Sequence, residues 1–216
     1  MLTPLQRFED QLRAKGLDLV HPFRRSWVDG DPDPNLPGAP EHLGLIVGNS
    51  KALWPRFLEG RRNEPNPLDH YVVRTIREAA AMLPWPCEVR FSFEGGARLV
   101  PIQHVAMRSG MAHLSPAQLC VHPVHGPWIG LRAVLICATE GPEAGSPAPD
   151  PCSSCDKPCM DALRAAMGEA ERPTATSVRD WRRWGRVRQV CPVGADRAYG
   201  DNQLAYHHTH DPRLLK

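Results

Sequence analysis

The stretch Cys120-Val-His-Pro-Val-His-Gly-Pro-Trp-Ile-Gly-Leu-Arg-Ala-Val-Leu-Ile-Cys137 constrains the fold more than any other part of the chain. Its first half, to Trp128, is a turn-rich run of Cys, His, Pro and Gly. Its second half, from Ile129, is apolar and β-branched except for Arg132, and reads as a buried strand. A guanidinium in such a strand is costly unless an anion meets it. An internal carboxylate would satisfy it, and so would a bound anionic ligand.

With 216 residues and 42% hydrophobic residues, the chain can bury a full core. A formal net charge of only +2 gives no footprint for non-specific nucleic-acid binding. No apolar run is long enough to cross a bilayer, and the N-terminus does not read as a signal peptide. The expectation is a cytoplasmic protein, where disulfides are disfavoured and seven cysteines point to metal or redox chemistry.

Thr3 caps an expected helix from Pro4 to about Lys15, with Phe8 and Leu12 on one face. Asp18 to Trp27 reads as a strand with Pro22 inside, so an edge strand or a bent one. Leu43–Val47 is a short buried strand. A Gly48-Asn49-Ser50 turn leads from it into a helix capped by Asn49 or Ser50, an arrangement that often builds a ligand rim. Asp69 is the expected cap of a helix over 70–83, with Val72, Val73, Ile76, Ala80 and Leu83 as its stripe. Glu88–Phe93 reads as a strand, with 99–102 pairing onto it. Helices are expected over 103–113, 161–171 and 199–208, and 179–188 is a basic segment with two tryptophans. Strands alternating with helices before residue 140 indicate an α+β (α/β) sheet domain. The Pro/Gly/Ser-rich linker over 141–151 separates a domain over 1–142 from a cysteine-rich, metal-binding segment over 143–216.

In that segment Cys152-x2-Cys155-x3-Cys159 is followed by a distant Cys191-Pro192. Four thiolates suit a [4Fe-4S] cluster, a tetrahedral structural zinc, or an unmetallated redox set. Cys191-Pro-Val-Gly-Ala resembles the Cys-Pro-x-Gly-Ala ending of bacterial ferredoxin motifs, although three residues precede Cys159 where ferredoxins have two. Cys87, Cys120 and Cys137 stand apart, and Cys137 reads as a small core residue. His207, His208 and His210 lie in a polar tail and read as non-metal residues.

Three segments in order resemble the cytosolic cobalamin-processing chaperones of the CblC type. Val20-His-Pro-Phe-Arg-Arg-Ser-Trp27 is similar to the family's Pro-Phe-x3-Trp segment. Cys120-Val-His-Pro-x2-Gly-x-Trp-x2-Leu-Arg132 is similar to its Cys-Ile-His-Pro-x2-Gly-x-Trp-x3-Arg signature. Tyr199-Gly-Asp-Asn-Gln-Leu-Ala-Tyr206 is similar to its Tyr-x3-Gln-x-Ala-Tyr segment. The resemblance implies a flavin-nitroreductase-like sheet flanked by helices, in a fold group shared with epoxyqueuosine reductase and reductive dehalogenases.

The resemblance also implies that Leu119, Cys120, Val121, His122 and Trp128 border a bound corrinoid. Arg132, Arg186 or Arg188, and Arg213 would bind the anionic end of a thiol such as glutathione. A histidine role in the helix over 103–113 is not carried over, because Met107 stands at that position. Cys152, Cys155, Cys159 and Cys191 have no counterpart in the animal chaperones and look like the cluster module of the bacterial relatives. The implied activity is an oxidoreductase that removes the upper axial ligand of cobalamin by decyanation or dealkylation. The built-in [4Fe-4S] cluster, a reduced flavin such as FMN or an electron-donor protein would supply electrons, glutathione would be the bound thiol, and the chain would act as a monomer or homodimer. The alternatives are a non-catalytic cobalamin carrier with structural zinc, and an epoxyqueuosine-reductase-like enzyme, which the short chain and small net charge disfavour.

Overall fold

The computed structural model of the chain describes residues 2–168 and 180–216. Arg179 and the end of the helix expected to reach residue 171 lie outside the described residues. The chain folds into two compact units, one of Met1–Met111 with Gly130–Ala148 and the other of Ala112–Ile129 with Pro149–Lys216.

The first unit is built on an antiparallel sheet of β1 (Leu19–Arg24), β2 (His42–Asn49), β3 (Cys87–Phe91) and β6 (Gly130–Glu140), in the order β1-β2-β6-β3. Pro22 does sit on an edge strand, where a missing N–H breaks no central ladder. β2 and β6 are central. Leu45, Ile46, Val134 and Leu135 are fully buried, and each contributes about 1.5–3 kcal/mol through the apolar surface it removes from water.

At the β3 edge, Arg98 Nη2 donates to the Val89 carbonyl oxygen at 2.6 Å, and the Phe91 N–H donates to Glu94 Oε2 at 2.8 Å. These bonds occupy outward-facing strand groups that would otherwise template another strand. The segment 99–102, expected to pair here, instead leads into helix α4 (Ile102–Arg108). Its preceding turn (Gly96–Arg98) is the one that carries Arg98 to the edge.

Helix α1 (Pro4–Ala14) has the full capping box, with Gln6 N–H on Thr3 Oγ1 and Thr3 N–H on Gln6 Oε1. Helix α2 spans Leu53–Gly60 and α3 spans Pro67–Ala80. Asp69 is not the α3 cap. Asn66 holds that position in the left-handed region with Pro67 directly after it, so the helix starts earlier and Asp69 lies in its first turn. The buried face is Leu68, Tyr71, Val72, Thr75, Ile76 and Ala79, rotated from the expected stripe. Tyr71 turns it inward: the ring meets Phe57 edge-on at 5.8 Å and the hydroxyl donates to the Lys15 carbonyl oxygen at 3.0 Å.

Cys87 and Cys137 correct the expectation of free thiols. They are register partners on β3 and β6, with Cα atoms 4.0 Å apart, and are joined by a disulfide. Their separation of 50 residues gave no local sign of that pairing.

The second unit holds a short ladder of β4 (His113–Leu114) with β5 (Cys120–Val121), and helices α5 (Pro158–Met167), α6 (Trp181–Gln189) and α7 (Asp201–Thr209). α5 and α6 close over Ala117, Ala166 and Val187, while Trp128, Tyr199 and Leu204 form a second apolar cluster. Among the described residues, no helix is long and apolar enough to cross a membrane.

Candidate functional site

The chemistry-bearing residues of the second unit meet where the turn over 122–128 approaches the chain after α6. The turn is closed by reciprocal backbone bonds between His122 and Gly126, at 2.9 and 2.8 Å. His122 Nδ1 accepts the N–H groups of Val124 at 3.1 Å and His125 at 3.2 Å. A ring nitrogen that accepts two backbone donors carries no proton, so the proton of neutral His122 sits on Nε2. A histidine bound to cobalt through Nε2 would need its proton on Nδ1, which these two donors oppose. His122 is therefore built as the brace of the turn.

Two glycines let this turn touch the Cys191-Pro-Val-Gly194 turn backbone to backbone. Gly126 and Gly194 have φ of +56° and +66°, a region that disfavours side chains. A Cβ on Gly126 would fall 1.8 Å from the Val193 carbonyl oxygen, and one on Gly194 would fall 2.6 Å from that of His125. Arg188 ties the same junction, with Nη1 donating to the Pro127 carbonyl oxygen at 2.5 Å.

Cys152, Cys155, Cys159 and Cys191 line one cavity, together with Leu119, Val121, Pro127 and Val193. Cys152 and Cys155 sit on a turn, Cys159 lies in the first turn of α5, and Cys191 follows the end of α6. Burial pushes the Cys152 thiol up, reinforced by Asp150 and the other three sulfurs. Burial likewise raises Cys191, against a hydrogen bond from the Val193 backbone and with repulsion from Cys159 and Cys155. The Lys157 N–H donates to Cys155 Sγ at 3.4 Å. Four thiols that repel one another as anions and receive backbone donors are suited to a polycationic centre, which reverses the repulsion on binding.

A single tetrahedral zinc, with Zn–S near 2.3 Å, would draw its sulfurs to about 3.8 Å apart. Among the described residues, His113, Asp150 and Cys152 bring three ligand atoms within 4.8 Å of one another. The sequence had not singled out His113 or Asp150. No motif spacing joins them; the β4–β5 ladder and the turn after the Pro-rich linker do.

The remaining expected residues are placed as follows. Cys120 is buried and its thiol is pushed up to about 11 by desolvation, with Arg188 pulling the other way. It stays protonated at neutral pH and is a poor nucleophile there. Val121 is buried and Leu119 half-buried. Trp128 is only 2% exposed and meets Tyr199 edge-on at 5.6 Å, so its indole supports the turn from beneath and offers no open face. The exposed apolar side chain of the turn is Val124.

Arg132, in the first unit, is half-buried, and its Nε donates to Asn49 Oδ1 at 2.6 Å. A Cβ on Gly130 would lie 2.8 Å from that oxygen and 2.9 Å from Arg132 Nη2, so the glycine makes room for the pair. Asn49 thus faces Arg132, and Ser50 accepts the Ala52 N–H ahead of α2. In the second unit Arg186 is exposed. Arg213 is engaged fork-on by Asp211 at 2.6–3.0 Å, so its guanidinium already holds a carboxylate. His208 stacks on Trp181, and burial together with Arg188 lowers its pKa.

No protein-family model and no curated protein matches the sequence. Solved structures do match its fold. The B12-trafficking protein CblC of C. elegans, a homologue of human MMACHC, aligns with a TM-score of 0.73 at 15% identity, over 98% of this chain and 94% of that one. A selenomethionine-labelled epoxyqueuosine reductase aligns with a TM-score of 0.52 at 13% identity, over 92% of this chain and 68% of that one. The chain thus shares the fold of that CblC protein.

Proposed function

We propose that this protein binds a corrinoid and reductively removes its upper axial ligand, with Cys152, Cys155, Cys159 and Cys191 holding a [4Fe-4S] cluster as the electron donor. One observation carries the reading. Leu119, Val121 and Pro127, from the segment whose resemblance implies contact with a corrin, line the same cavity as the four cysteines. The Cys191-Pro192 ending, similar to that of bacterial ferredoxin motifs, favours a cluster over one zinc ion. The structural neighbours, a B12-trafficking protein and a reductase, point the same way.

The cluster, when bound, supplies one electron at a time. The chain's own residues do the rest. His122 braces the turn through Nδ1 and so offers cobalt no ready lower ligand. Loss of the corrinoid's own lower base on binding, a part of this proposal, would ease reduction of the upper bond. With cyanocobalamin as substrate, one electron takes Co(III) to Co(II), and cyanide leaves with its bonding pair. With an alkylcobalamin, an external thiolate attacks the alkyl carbon, and the Co–C pair stays on cobalt as Co(I). Cys120 does not serve as that thiolate, because burial keeps it protonated. Arg132, fixed by Asn49, is the proposed anchor for the anionic end of the thiol.

The test is a single turnover. Anaerobic protein is reduced, freed of reductant and mixed with cyanocobalamin. Wild type should yield about one cob(II)alamin per cluster, and Cys191→Ser, which removes a ligand, should yield none. Equal yields from the two proteins would reject the built-in donor.

A further inference from the structure

His113 Nε2 lies 3.2 Å from Asp150 Oδ1, and with Cys152 Sγ these ligand atoms are all within 4.8 Å of one another. The 3.2 Å separation is close to the edge of a tetrahedron around a zinc-sized ion, about 3.3 Å for bonds near 2.0 Å. The donors are held in place. His113 is in the β4–β5 ladder, opposite Val121. Asp150 Oδ1 accepts the N–H groups of Cys152 at 2.8 Å and Ser153 at 3.2 Å, which fixes the carboxylate on its turn. An ion pair on a turn accounts for His113 and Asp150. The same turn carries Cys152, whose Sγ completes a three-donor group with them.

We propose that His113, Asp150 and Cys152 form a second, mononuclear site for a divalent cation of the zinc class, with a fourth position left to water. One imidazole, one carboxylate and one thiolate are a borderline donor set of the kind zinc accepts. Binding converts the Cys152 thiol to a metal thiolate and releases one proton. The site shares Cys152 with the four-cysteine set. A cluster thiolate is terminal on one iron, so the two sites are occupied alternately: the mononuclear ion holds the loop over 150–153 to β4 when no cluster is present. The inference stands on these three side chains and does not depend on the corrinoid reading.

The experiment is an anaerobic cobalt(II) titration of cluster-free, full-length protein, read by the thiolate-to-cobalt charge-transfer band. The Cys155→Ser/Cys191→Ser double variant, which cannot assemble the four-thiolate set, should still bind one cobalt with that band. In this background His113→Ala and, separately, Asp150→Asn should each weaken binding at least tenfold, with circular dichroism confirming that each variant folds. No band in the double variant, or equal affinity with and without His113, would overturn the proposal.

Discussion

Gly126→Ala is the sharpest single perturbation of the junction between the two turns. The new Cβ would sit 1.8 Å from the Val193 carbonyl oxygen, well inside any real carbon–oxygen contact, and that oxygen is backbone. Relief requires one turn to move from the other by more than about 1 Å, which for overpacking costs about 1–3 kcal/mol. The residue must also hold a φ of +56°, for about 1 kcal/mol more. Gly96→Ala isolates the second cost, since Gly96 has a φ of +59° and nothing within 4 Å of its added Cβ. In urea unfolding, Gly126→Ala should therefore lose about 3 kcal/mol and Gly96→Ala about 1 kcal/mol. The visible absorbance of the anaerobically reconstituted protein should fall for Gly126→Ala alone, because Cys191 is on the displaced turn. Matching unfolding midpoints and matching colour in the two variants would refute the reasoning.

The Cys87–Cys137 bridge closes a loop with a sequence separation of 50, so its removal by Cys87→Ser should cost about 4 kcal/mol in the chain-entropy account, read as a lowered urea midpoint under non-reducing conditions. The folded-state pKa of Cys120 lies above the usual thiol value of 9.0, so its contribution is fully present below pH 9 and lost as pH rises through about 11. Its alkylation in native protein should accordingly stay slow at pH 8; fast labelling there would contradict the burial. Arg132→Ala should weaken binding of a carboxylate-bearing thiol about tenfold or more, and Asn49→Ala should do so less by freeing the guanidinium to swing. Unchanged affinity in calorimetry for Arg132→Ala would remove the anchor role.

Local chemistry was legible and long-range register was not. The Thr3 cap, the edge placement of Pro22 and the apolar run to Cys137 follow from propensity and periodicity, and the structure has all three. The α3 stripe differs from the expected one because Tyr71 is held inward by Phe57 and the Lys15 carbonyl, partners distant in sequence. The four cysteines stand out by type and spacing. Asn49 under Arg132, Tyr199 beside Trp128, and His113 with Asp150 are partners that only the folded chain supplies. The same holds for Cys137, whose apolar neighbours in sequence suggested a core thiol while its strand partner made a disulfide.

The central claim is that the turn braced by His122 forms part of a corrinoid site beside the four cysteines. Hydroxocobalamin titrated into the protein, followed by absorbance, tests it directly. The account expects a saturable one-to-one shift to the base-off spectrum, retained in Cys155→Ser/Cys191→Ser and lost in Gly126→Ala. A spectrum that stays base-on at every protein concentration would contradict it.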